Sequence, residues 1–202
     1  MFGLNIVYDI TLVLGFLSLT SPLEPIGDPY FSILEVLIIA MAPLMLVVMV
    51  AVHAYASPET KAYSLTALAF MILSVGITCG VHFTILTVSR QIEAAGFSQA
   101  SYLFSFKWPS VAYTIDALSW DLFFALSFLF AGLVFKKGRL ERAVRFSMLI
   151  TGVLSLVGLF GVPFLGQTPI IRNIGIVGYA GGTLIIFPLL GIIFGHSKRA
   201  AC

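Results

Sequence analysis

Residues 108–135, WPSVAYTIDALSWDLFFALSFLFAGLVF, form an apolar stretch long enough to cross a bilayer, and they carry two carboxylates, Asp116 and Asp121. A spanning helix needs about 20 apolar residues to cross a hydrocarbon layer ~30 Å thick. A carboxylate inside that layer costs a few kcal/mol, so it faces protein or water and usually serves a function. One stretch therefore points both to a membrane fold and to a buried polar site.

The rest of the chain agrees on the class. Of its 202 residues, 59% are hydrophobic and 10% charged, and the mean hydropathy of +1.06 lies outside the range of soluble domains. The expected fold is all-α, a single polytopic transmembrane helix bundle over residues 1–202 with five or six spans. The uncertainty in number comes from residues 4–20, which sit at the lower limit of spanning length and lack the basic start and cleavage site of a signal peptide. Asp9 is buried only if that segment spans.

Further spans are expected at about 36–52, 62–93, 146–162 and 169–195. The segment 21–30, SPLEPIGDPY, holds three prolines and a glycine and reads as an acidic loop. Ser32 precedes Glu35 by three residues, the spacing of a capping box at the start of the next helix. Pro43 interrupts that helix, a feature that often lines a cavity. Thr168 and Pro169 suit the N-cap and first residue of the last span, after a turn at 163–168.

Topology follows from charge. Residues 136–145, KKGRLERAVR, place five basic side chains between two spans. By the positive-inside rule this loop is cytoplasmic, as are the C-terminal His196, Lys198 and Arg199, in a multi-pass protein of the cell membrane. The acidic loop is then extracytoplasmic. A net charge of +2 concentrated in one loop gives no support to nucleic-acid binding. The two cysteines, Cys79 and Cys202, lack the spacing of a redox pair or thiolate zinc site.

Counting inward at ~1.5 Å per residue puts Arg172, Glu35, Asp116, His82 and Asp121 between about 4 and 18 Å below the extracytoplasmic surface. His82 and Asp116 match in depth on consecutive spans and form the leading expected contact. Thr78, Cys79, His82 and Ser89 share a helical stripe, as do Tyr113, Asp116 and Trp120. At 100° per residue Asp121 lies about 140° around from Asp116, so it is expected to address a different partner. The candidate ligand-binding residues are thus Glu35, His82, Tyr113, Asp116, Trp120, Asp121 and Arg172, with His82 and Asp116 catalytic if the protein is an enzyme. Glu35 alone also has a helix-capping role by its spacing.

Some chemistries are excluded. No lysine lies inside a span to carry a retinal Schiff base, and His82 is the one interior histidine, too few for a haem or a metal hydrolase, although one histidine with two carboxylates has the donors for a hard or borderline ion. No motif names a cofactor, and no metal site is expected. The first function class is binding or transport of a small amphipathic or lipid-like molecule. The alternatives are an intramembrane enzyme on a lipid-soluble substrate, with His82 as general acid/base, and a structural or accessory membrane subunit without a ligand. Membrane lipids are expected partners, and glycine-rich helix faces such as Gly76 and Gly80 offer a contact for a homo-oligomer.

Overall fold

The computed structural model of the chain describes residues 1–21, 24–97, 102–164 and 168–200. The expected turn at 163–168, parts of the loops at 21–30 and 94–107, and Cys202 fall wholly or partly outside them, as do the side chains of Lys198 and Arg199.

Among the described residues there is no strand, and six helical rods account for the architecture. The first, α1, is Phe2–Leu17, and α2 is Tyr30–Tyr55. After a 3-10 turn at Pro58–Thr60, α3 runs through Lys61–Thr84, a π-helical turn at Ile85–Ser89 and Arg90–Ala94. Helix α4 joins Val111–Ala117, a π-helical stretch at Leu118–Phe124 and Ala125–Gly132. Helix α5 is Gly138–Phe164, and α6 joins Pro169–Ile176, a π-helical turn at Val177–Gly181 and Gly182–Ala200.

Five of these rods, α2 to α6, are long and apolar enough to cross a membrane, the pattern of an integral membrane protein. Helix α1 has 16 residues, and at ~1.5 Å each it reaches about 24 Å. That is short of a full hydrocarbon layer unless the layer thins around it. Each rod packs on its neighbour in sequence and α1 returns to α6, so the six close into a ring.

Outward faces carry Val47, Leu65, Phe146, Ile150 and Phe160, all exposed, as suits a bundle solvated by lipid. The interior of one half is filled by Met41, Met45, Met49, Met71, Phe124, Phe128, Met148, Ile186 and Leu190. Polar pairs tie α3 to α4 within it. Ser119 Oγ donates to the Ser74 carbonyl at 2.9 Å and lies 2.9 Å from Thr78 Oγ1, while Ser127 Oγ donates to the Ala67 carbonyl at 2.8 Å.

Several local expectations are corrected. Helix α2 starts at Tyr30 and Glu35 caps nothing; instead Ser32 bonds to Asp28 and Arg90. The basic stretch 136–145 is only briefly a loop, because Gly138, at a φ of 73° that glycine tolerates, begins α5. Glu141 explains this start: Oε2 accepts from the backbone N–H groups of Lys136 and Lys137, both at 2.7 Å, while Oε1 accepts from Tyr55. Trp108 and Pro109 precede α4, whose first residue is Val111. Pro43 faces outward and lines no cavity named below. Gly76 and Gly80 also face outward with nothing near them, whereas Gly178 and Gly182 of α6 pack on Ser155 and Thr151 of α5. Thr168 is the N-cap of α6, accepting from Ile171 N at 3.4 Å.

Candidate functional site

The polar residues expected from the sequence converge at the end of the ring where the α1–α2 loop lies. Glu35 projects from α2 and is only 3% exposed, a position that requires a partner. That partner is His82 of α3, whose Nδ1 sits 2.9 Å from Glu35 Oε2. On the other edge of the imidazole, Nε2 lies 3.2 Å from Asp116 Oδ1 of α4. This second contact is at ion-pair distance but misses hydrogen-bond alignment, so both atoms stay without a hydrogen bond. The histidine therefore bridges three helices. Its two nitrogens serve carboxylates on opposite edges of the ring, which is an ion-pair arrangement and not a chelate. Among the described residues no three His, Cys, Asp or Glu side chains gather as a metal would need.

Phe106, in the segment before α4, lays its ring against His82 at 5.0 Å between centroids and meets Tyr113 at 6.5 Å. The α1–α2 loop closes over the same region. Ile26 packs on Gly15 of α1, where a β-carbon would come within 2.8 Å of it. Asp28 binds Arg90 of α3 at 2.9 Å and Ser32 Oγ at 2.5 Å, fastening the loop to the bundle.

Beneath this cover lies a cavity of about 170 Å³, lined by Glu35, His82, Tyr113, Asp116, Trp120, Asp121 and Arg172 together with Tyr8, Phe16 and Tyr179. All seven sequence candidates thus border one space. Asp121 lines the same cavity as Asp116 but has different neighbours, Asp116 standing against His82 and Asp121 against Gly158 and Gly175. Asp121 falls in the π-helical stretch Leu118–Phe124, whose i→i+5 bonding widens the turn and lessens the angle from Asp116, and both residues line the same cavity.

The carboxylate of Asp121 is 9% exposed, and its Oδ1 has no hydrogen-bond partner. It occupies a recess formed by two glycines. A β-carbon on Gly158 of α5 would lie 2.8 to 2.9 Å from Oδ1, Oδ2 and Cγ, and one on Gly175 of α6 would lie 3.0 Å from Oδ1. Among the described residues no cation pairs with it.

Aromatic side chains line the cavity, with Trp120 and Tyr179 5.0 Å apart between ring centroids. Arg172 stands at the rim of the cavity. Its guanidinium lies 5.5 Å over the Phe16 ring, and its Nε donates to Asn173 Oδ1 at 3.3 Å.

The residues that sequence reasoning missed are Tyr8, Phe16, Phe106, Tyr179 and the glycine pair Gly158 and Gly175. Tyr8 and Phe16 lie on α1, whose depth was undecided. The glycines carry no chemical signal of their own, and only their distance to Asp121 gives them a role. Comparison of the chain with protein-family models, with curated proteins and with solved structures finds no match.

Proposed function

We propose that this membrane protein binds a small amphipathic or lipid-like molecule in the cavity beneath the α1–α2 loop, its polar end against Asp116, Asp121 and the Glu35–His82 pair. The observation that carries this is Asp121, nine-tenths buried in the wall of the cavity, its carboxylate set against a glycine recess with Oδ1 unbonded. An unpaired buried carboxylate is costly, and a ligand that satisfies it recovers that cost.

Binding is favoured over free conduction because the other half of the ring is filled by methionine and phenylalanine side chains. An intramembrane enzyme is less well supported. The described cavity lining holds no serine, threonine, cysteine or lysine to act as a nucleophile beside His82. A purely structural role for the polar residues accounts for the Glu35–His82 pair but not for the cavity or the recess. By the positive-inside rule the cavity faces the extracytoplasmic leaflet of a cell membrane.

The test is extraction of small molecules from the protein purified in native lipid discs, followed by mass spectrometry. The wild type is expected to carry an amphipathic molecule near one per chain, and Gly158→Leu, which fills the recess, to lose it while eluting as a folded species. Asp121→Asn, which keeps the side chain's shape against the glycines and removes the carboxylate, provides a second variant. Equal amounts of bound material in all three proteins refute the assignment.

A further inference from the structure

The ring of helices closes least tightly between α1 and α6. A groove of about 590 Å³ runs along this seam, lined mostly by apolar side chains such as Leu12, Val13, Val177 and Leu184, and also by the polar Asp9, Thr20, Ser21, Arg172 and Asn173. Leu12, Phe16, Arg172 and Ile176 line both the groove and the inner cavity, so the two spaces share a wall. Leu17, Val13 and Val177, beside the seam, are exposed on the lipid-facing side.

The inner cavity holds more acidic side chains than basic ones: Glu24, Glu35, Asp116 and Asp121 against His82 and Arg172. His82 stands between Glu35 and Asp116, and Arg172 is stacked on Phe16 at the rim. Glu24 and Asp121 are left without a cation among the described residues; Glu24 accepts from Thr20 Oγ1 at 2.6 Å, whereas Asp121 Oδ1 has no hydrogen bond, in a space also lined by Tyr8, Tyr113, Trp120 and Tyr179. A carboxylate among several aromatic faces suits an organic ammonium ion, which gains from the charge and from the rings together.

We infer that the ligand is an ammonium-headed amphiphile, its cationic head held by Asp121 within the aromatic walls and its hydrocarbon chain lying in the groove between α1 and α6. This rests on the binding function proposed above and adds the sign of the head and the path of the chain. Entry is sideways from the membrane, past Phe16 and Ile176, without opening the loop.

The experiment uses protein in lipid discs carrying Trp108→Phe, so that Trp120 is the sole tryptophan of the two and reports the cavity. Tetramethylammonium probes the head site alone; dodecyltrimethylammonium, dodecanol and dodecanoate probe head and chain, compared at equal mole fraction in the bilayer. The expected result is a Trp120 fluorescence shift by both ammonium ions, with the long ammonium binding about tenfold or more tightly than dodecanol. Asp121→Asn is expected to abolish that preference. Gly181→Phe, placed in the groove where a β-carbon meets nothing closer than 3.9 Å, is expected to weaken the long ammonium and leave tetramethylammonium unchanged.

Dodecanol or dodecanoate equal to the ammonium overturns the charge assignment while leaving an amphiphile site in place. Insensitivity of the long ammonium to Gly181→Phe overturns the groove path. No response of Trp120 to any probe overturns this inference and the binding function together.

Discussion

Replacing Gly158 with alanine tests the recess around Asp121 in isolation. In an ordinary helix interior this change stabilises by up to ~1 kcal/mol, because alanine loses less backbone freedom than glycine. Here the new methyl would stand 2.8 Å from Asp121 Oδ1 and 2.9 Å from both Oδ2 and Cγ. Rotating the carboxylate cannot relieve contact with Cγ. The side chain must leave its rotamer, and overpacking of this kind costs about 1–3 kcal/mol. Gly158→Ala is therefore expected to destabilise by up to ~2 kcal/mol net. In an Asp121→Ala background the clash is gone, and the same substitution should be neutral or stabilising. The assay is reversible unfolding in mixed micelles with the four proteins of a double-mutant cycle, where the coupling should reach about 1–3 kcal/mol. If Gly158→Ala stabilises equally in both backgrounds, the recess does not exist as described.

Other expectations concern the same end of the bundle. The Glu35–His82 hydrogen bond should give a double-mutant coupling of about 1.5–3 kcal/mol, whereas Ser32→Ala should leave the start of α2 intact, the reverse of what a capping box requires. Removing the Ser119 hydroxyl, which serves both Ser74 and Thr78, should cost about 0.6 to 1.7 kcal/mol in thermal unfolding. Ser32 Oγ, with help from its backbone N–H and from Arg90, holds the Asp28 carboxyl below the usual carboxylate range. A depressed carboxyl contributes fully above its unfolded value near ~3.9 and loses that contribution as the pH falls through the folded one. The loop fastening should accordingly be constant from pH 5 to 8 and weaken below about 4, by less than ~1 kcal/mol given its exposure. Hydrogen exchange of residues 24–31 measures this, and Asp28→Asn should show the loosened state at neutral pH.

How much of this was legible in the chain depends on the local geometry. Span positions and the approach of His82 to Asp116 follow from hydropathy and from rise per residue, because both depend on axial distance, which survives small changes in winding. Angular position does not survive them. One π-helical stretch in α4 narrows the angle between Asp116 and Asp121, which line one cavity, and another in α6 holds Tyr179 of the same lining. Three of the helices around the site contain such turns, and each invalidates a 100° count beyond it. Glu35 shows a different limit. Its spacing from Ser32 fitted a local capping role, but local spacing cannot reveal a histidine 47 positions away. The glycines were visible as small residues, yet the group they make room for lies on another helix. Helix α1 illustrates the reverse case, since its marginal length was plain in the sequence and remains marginal in the fold.

The most direct test of the cavity as an amphiphile site is photocrosslinking in lipid discs, with a dodecylammonium probe bearing a diazirine along its chain and adducts mapped by peptide mass spectrometry. Adducts concentrated on Leu12, Phe16, Ile176 and their neighbours along the α1–α6 seam, and suppressed by excess unlabelled probe, are expected. Unsuppressed labelling spread evenly over outward residues such as Val47, Leu65 and Phe146 would contradict the account.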